Sequence, residues 1–224
     1  MAMHKNRLLF KKEGRAVYIS HLDLMATFQR AFLRSGINVW QTEGFNRHVY
    51  VSIALPLSVG YSSDCEILEF NLEDDIPLSQ VPERLNRALP EGITVLSCYE
   101  AKIPLKKIVD LGWTVTMEYD NGVPEGAAEG FRALLSRESC VIRKKSKKAK
   151  RGYTELDIIP MVKEWTLEEG EHTLVFRARI AALNPGLNPS LILDTFAKDH
   201  PEWTPDFVRC HRNEVYGEMA EVFR

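Results

Sequence analysis

Apolar residues recur at helical spacing just inside the N-terminal quarter of the chain. Leu24, Phe28, Ala31 and Phe32 fall on one face, and Asp23, Thr27, Arg30 and Arg34 on the other, which predicts an amphipathic helix. Ser20 followed by Asp23 reads as a capping box, whose hydroxyl and carboxylate satisfy N–H groups that a new helix leaves unpaired; the helix therefore starts at Ser20 and stops at Gly36. Ile37, Val39 and Trp40 suggest a short strand. Residues 42–47 are too polar and glycine-punctuated for a core and are expected on the surface. Val49, Val51, Ile53 and Leu55 then alternate with Tyr50, Ser52 and Ala54, the mark of a half-buried strand running up to Pro56.

The same reading extends along the chain. Residues 7–10 and 16–19 flank a charged turn, residues 66–72 begin another strand, and Val81, Leu85 and Leu89 place a helix over 77–89. Residues 93–99 close this half as a strand, giving the order βαββαβ of ferredoxin-like folds. The second half repeats that order. Strands are expected at 113–119, 139–145, then, past residues 153–165, at 173–180, and at 207–215, and helices at 125–137 and after Asn188-Pro189-Ser190. The expectation is an α+β protein of two tandem ferredoxin-like lobes with mainly antiparallel sheets, residues 1–105 and 106–224.

Composition narrows the class. Apolar residues make up 45% and charged residues 27%, with a formal net charge of −2, so neither disorder nor global attraction to a polyanion is implied. Residues 1–10 lack a signal-peptide apolar stretch and no run approaches a membrane span, which points to a cytoplasmic protein with no membrane partner. Cys65, Cys98, Cys140 and Cys210 are far apart. Without a Cys-x-x-Cys pair or a tight three-cysteine cluster, a zinc knuckle, a thioredoxin-type site or a resident iron–sulfur centre is not expected. Glycine-rich phosphate loops are also missing, and no cofactor is assigned.

Two polar features carry candidate chemistry. His21 lies in the first turn of the predicted helix, where unpaired N–H groups favour an anion. If the polar loop folds back over that turn, Asn46, Arg47 and His48 would join Arg15, Ser20 and His21 as an anion or partner site. His21, Asp23 and His48 lack the spacing of zinc motifs, so no metal is assigned, and the Ser20 hydroxyl is needed by the backbone. The second feature is a run in which Arg143, Lys144, Lys145, Lys147, Lys148, Lys150 and Arg151 are interrupted only by Ser146 and Ala149. Such a block repels itself and suits a hairpin tip that contacts nucleic acid or an acidic protein in a salt-dependent way.

Lys12-Glu13-Gly14-Arg15, the stretch from Ile19 to Leu24, Glu43-Gly44-Phe45-Asn46, His48, and the run from Ser52 to Gly60 with Glu66 resemble the uncharacterised radical S-adenosylmethionine-linked family. Members of that family occur alone or joined to the C-terminus of a cobalamin-binding radical S-adenosylmethionine protein. Weaker marks in the second half are the stretch from Glu155 to Ile158 and Leu183-Asn184-Pro185. The family's loop has proline either side of the histidine followed by arginine, whereas Arg47, Val49 and Tyr50 stand there in this chain. The resemblance implies a cytoplasmic bacterial protein working beside a radical S-adenosylmethionine enzyme that supplies the iron–sulfur cluster. Genes for ribosomal proteins and an E/G-type RNase often neighbour the family's own, which favours an RNA or ribosome-linked partner. Two functions follow as expectations. One is a non-catalytic accessory protein that recognises RNA or a ribosome-linked substrate. The other, by analogy with the tandem lobes of CRISPR repeat-processing endoribonucleases, is a metal-independent endoribonuclease or other RNA-processing enzyme using His21 and His48.

Overall fold

The first helix is built as its sequence dictates. In the computed structural model, which describes residues 5–73, 75–145, 152–183 and 185–224, helix α1 runs His21–Ser35. Ser20 caps it: the Asp23 N–H donates to the Ser20 hydroxyl oxygen at 3.2 Å, and that hydroxyl donates to the Asp23 carboxylate at 2.7 Å. Gly36 ends the helix at φ 67°, a left-handed conformation open to glycine without a Cβ clash. Leu24, Thr27, Phe28, Ala31 and Phe32 are buried. Thr27 joins the apolar face because its hydroxyl is satisfied by the Asp23 carbonyl one turn back, at 2.8 Å.

The chain divides into two compact units, Met1–Lys107 with His211–Glu214 and Val222–Arg224, and Ile108–Cys210 with Val215–Glu221. The first unit holds strands β1 (Lys5–Lys12), β2 (Ser52–Ala54), β3 (Ser62–Asn71) and β4 (Ile93–Glu100), with α1 and the short helix α2 (Val81–Asn86). β1 pairs antiparallel with β3 and β4, and β2 antiparallel with β3, so the lateral order is fourth, first, third, second. The helices cover the face that carries Leu8, Phe10, Leu68 and Phe70, where Phe10 meets Phe28 at 4.8 Å between ring centroids and Phe32 meets Phe70 at 4.9 Å. Each such ring contributes about 1.5–3 kcal/mol by leaving water.

Several expected strands are shorter here. Residues 14–18 form a 3₁₀ turn rather than a strand. Val39 and Val49 make only isolated bridges, to Leu72 and Gln41. The ladder of β2 stops at Ala54 because Leu55 turns to φ 50°. The helix expected over 77–89 is a 3₁₀ turn, Leu78–Gln80, followed by α2.

The second unit contains β5 (Asp110–Glu118), α3 (Ala127–Leu135), β6 (Val141–Lys145), β7 (Tyr153–Asp157), β8 (Val162–Glu169), β9 (Thr173–Ala181) and α4 (Pro189–Asp199). Strand β10 (Phe207–Tyr216) is split: its middle residues, His211–Glu214, cluster with the first unit and its two ends with the second. β9 pairs antiparallel with β5 and β8, and β10 lies next to β5 in the strand order. With β6 and β7 set aside, the main strands are again in the order fourth, first, third, second. Among the described residues β6 and β7 pair only with each other, as a separate two-stranded hairpin inserted between α3 and β8. Phe131 is the hub of this core, 5.2 Å from Phe176 and 5.0 Å from Phe196. Among the described residues, no helix is long and apolar enough to cross a membrane.

Candidate functional site

The polar residues of the N-terminal stretch are held at separate points. The His48 ring nitrogen Nδ1 lies 3.1 Å from the Thr42 hydroxyl and 3.0 Å from the Asn46 carbonyl, so the loop is fastened to itself. The loop meets α1 where the Gln29 side-chain amide donates to the Val49 carbonyl at 3.0 Å. Gln29 is eight residues beyond His21, about 12 Å along the helix axis. Among the described residues no hydrogen bond or ion pair joins His21 to Arg15, Asn46, Arg47 or His48. Arg15, Asn46, Arg47 and His48 are exposed, and Ser20 is occupied as the cap. No group of three or more His, Cys, Asp or Glu suited to a metal occurs among the described residues.

The segments that carry the family resemblance converge elsewhere, on a buried charge cluster. Lys12, Glu66 and Arg212 are exposed by only 1%, 1% and 4%. Arg212 donates from one Nη1 to the Glu66 carboxylate and to the Leu55 carbonyl, both at 2.9 Å. That bond clamps Leu55 in its left-handed conformation at the end of β2. Lys12 donates to the Val17 carbonyl at 3.3 Å, and the same carbonyl accepts from the Gly60 N–H at 2.8 Å. Burial pushes the Lys12 ammonium below its ordinary range; Glu66 works against that shift and Arg212 adds to it. Burial likewise drives the neighbouring Cys65 thiol up to about 12, which leaves it inert as a nucleophile. All four cysteines are free.

Neighbouring residues of the same strands make a second cluster. His211 Nδ1 lies 2.8 Å from the Ser62 hydroxyl, His211 Nε2 lies 2.9 Å from an Asp64 oxygen, and Lys11 reaches the other Asp64 oxygen at 3.1 Å. Burial alone would raise the Asp64 carboxyl, but the hydrogen bonds and charges of His211 and Lys11 outweigh it and hold it below the usual carboxylate range. With Asp64 ionised, the ring donates from Nε2, and a neutral ring then accepts the Ser62 proton at Nδ1. Sequence reading misses this cluster because His211 lies 149 residues from Ser62, and only the parallel pairing of β10 with β3 (His211 opposite Ser62, Arg212 opposite Ser63) brings them together.

The basic run begins on β6, in the β6–β7 hairpin. Arg143 and Lys144 are on β6, as is the backbone of Lys145, while Lys147, Lys148, Lys150 and Arg151 lie outside the described residues. The Arg143 guanidinium covers the Tyr153 ring at 4.9 Å and stands 3.7 Å from Glu155; Arg143 and Glu155 are exposed, so the ion pair costs Arg143 little of its reach. Lys144 donates to the Gly186 carbonyl at 3.1 Å. The base of the hairpin is rigid: the Asp157 carboxylate accepts from the Cys140 N–H at 2.9 Å, the Ser139 hydroxyl at 2.7 Å and the Ile159 N–H at 3.2 Å. These bonds, led by that from Cys140, hold its carboxyl below the ordinary range. Beneath, Arg137, Arg143 and Lys198 line a groove of about 550 Å³ together with Asp194 and Asp199.

These features define a mixed α+β protein with a mainly antiparallel sheet. Its fold is similar to that of a chain in the crystal structure of a Cbf5–Nop10–Gar1 complex, at 10% identity and a TM-score of 0.51 over 94% of this chain and 48% of that one. A chain of the archaeal box H/ACA sRNP Nop10–Cbf5 complex aligns at 13% identity and a TM-score of 0.44, over 92% of this chain and 46% of that one. An unknown protein from Galdieria sulphuraria aligns at 13% identity and a TM-score of 0.28, over 94% and 98% of the two chains. The chain thus spans about half the length of the first two. No curated protein matches it. Residues 5–188 match the family described as an uncharacterized protein conserved in bacteria (DUF2344), and the chain belongs to that family.

Proposed function

We propose that the protein is a non-catalytic accessory of a radical S-adenosylmethionine enzyme in the bacterial cytoplasm, and that it holds RNA or a ribosome-linked RNA partner by the β6–β7 hairpin. The two βαββαβ units are read as ferredoxin-like lobes, a reading supported by the strand order common to both. One observation carries the function: the densest cationic run of a chain with net charge −2 begins on β6, in a hairpin that, among the described residues, pairs with no other strand, beside a groove lined by Arg137, Arg143 and Lys198 together with Asp194 and Asp199. A hairpin outside the main sheet can be spent on a ligand, because its surface is not needed to close a core. On the first unit, exposed Tyr18, Leu22 and Val59 lie on segments tied by the Gly60–Val17 hydrogen bond, a mixed surface suited to a protein partner. The endoribonuclease alternative requires His21 and His48 at one site; the docking of their loop at Gln29 supports the non-catalytic reading instead.

The test is RNA retention as a function of salt. Replacing Arg143, Lys144, Lys145, Lys147, Lys148, Lys150 and Arg151 by glutamine should weaken binding and flatten the slope of log K against log salt by up to about 5, for single-stranded RNA. Absence of retention of single-stranded, hairpin and duplex RNA at about 50 mM salt overturns the RNA reading.

A further inference from the structure

At the C-terminal ends of α1 and α2 lies a cleft of about 390 Å³ lined by Arg34, Ser35, Arg84, Arg87 and Ala88. Arg34 is in the last turn of α1, Arg84 in the last turn of α2, and Arg87 is the residue that caps α2. The negative end of a helix dipole accounts for a cation at each helix end. It does not account for three guanidinium groups facing one concavity, where like charges raise each other's energy unless an anion intervenes.

The existing partners leave most of the donors available. Arg34 donates from Nη2 to the Ala88 carbonyl at 2.7 Å, which anchors its guanidinium across the gap from α1 to α2. Arg84 meets the Gln80 side-chain oxygen at 3.3 Å, a marginal bond. Arg87 pairs with Glu83 one turn back, and both side chains are exposed, so solvent competes for that pair. Each guanidinium has five N–H donors and each engages one partner here. Among the described residues, Glu83 is the one carboxylate bonded to any of the three. A lining of three arginines, a serine and an alanine presents guanidinium groups rather than an apolar surface, and its charge repels cations. Planar guanidinium forks match the oxygens of phosphate, and a doubly charged phosphate monoester gains more from them than a singly charged diester.

We propose that this arginine cleft binds a phosphate monoester, either a free phosphate or the terminal phosphate of a nucleic acid. The site belongs to the first unit and stands independently of the β6–β7 hairpin, so neither reading falls with the other.

Calorimetric titration of the full chain tests it, with inorganic phosphate, a 5′-phosphorylated tetranucleotide and the same tetranucleotide ending in a 5′-hydroxyl as probes. The phosphorylated tetranucleotide should bind at least about tenfold more tightly than its hydroxyl counterpart. The preference should disappear in the Arg84→Gln/Arg87→Gln double variant and in Arg34→Gln, and persist when the hairpin cations are neutralised. Inorganic phosphate matching the tetranucleotide in affinity identifies the free anion as the ligand; inorganic phosphate at least about tenfold weaker identifies a nucleic-acid end. Equal binding of the two tetranucleotides, or an unchanged preference in both folded arginine variants, overturns the proposal.

Discussion

Removing the Arg212 guanidinium would leave the Glu66 carboxylate 1% exposed with no cation within hydrogen-bonding distance, and would release the Leu55 carbonyl at the same time. Breaking one partner out of a buried ion pair costs about 3–5 kcal/mol, and Arg212→Ala should lower unfolding stability by that much in urea denaturation. The Glu66→Gln/Arg212→Met double variant removes the uncompensated carboxylate and should regain part of the loss, the Leu55 carbonyl remaining without its donor and Lys12 without its carboxylate. If Arg212→Ala unfolds within about 1 kcal/mol of wild type, the charge cluster is solvated and not the clamp described above. Glu66 and Lys12 stand out in the sequence as parts of its motifs. Arg212 does not, because it lies 146 residues beyond Glu66 in a stretch that reads simply as a strand.

At the scale of elements, α3 shows where local propensity yields to packing. Gly130 sits inside this helix at a cost of about 1 kcal/mol relative to alanine. A Cβ there would lie 2.1 Å from Trp203 Cζ3, so the glycine makes room for the indole. That ring stacks on His200, at 4.1 Å between centroids, and on Phe196 at 6.0 Å, which joins the turn after α4 to α3. Gly130→Ala should therefore destabilise by about 1–3 kcal/mol in spite of its better helix propensity. Thermal unfolding checks the sign: a more stable variant would mean that Trp203 moves aside freely. Capping and periodicity made α1 legible residue by residue; periodicity located α3 but overran it by two residues at each end, where Gly126 offers no side-chain cap. The strands were legible in place but not in length, since the ends of β2 and the bridges at Val39 and Val49 depend on partners distant in the chain.

For the whole molecule, the important fact is that the first unit is discontinuous. It needs His211–Glu214 and Val222–Arg224 to be complete. A fragment of residues 1–107 keeps β1 to β4 but lacks Arg212 for Glu66 and His211 for Asp64 and Ser62. It should show no cooperative urea transition, whereas the full chain should; a sharp transition in the fragment would show that the β10 segment is dispensable. The sequence by itself determined the start and stop of α1, the alternation that marks the strands, the wide spacing of the cysteines and the basic run, because each depends on residues within a turn or two of one another. Only the tertiary structure decided that β6 and β7 stand apart from the main sheet, that His48 is fastened to its own loop, and that His211 and Arg212 reach Asp64 and Glu66. The contacts of His211 and Arg212 join residues separated by up to two thirds of the chain, and strand pairing over such distances leaves no periodic trace in the sequence; the bonds of His48, though local, go to a carbonyl and a hydroxyl that no spacing marks.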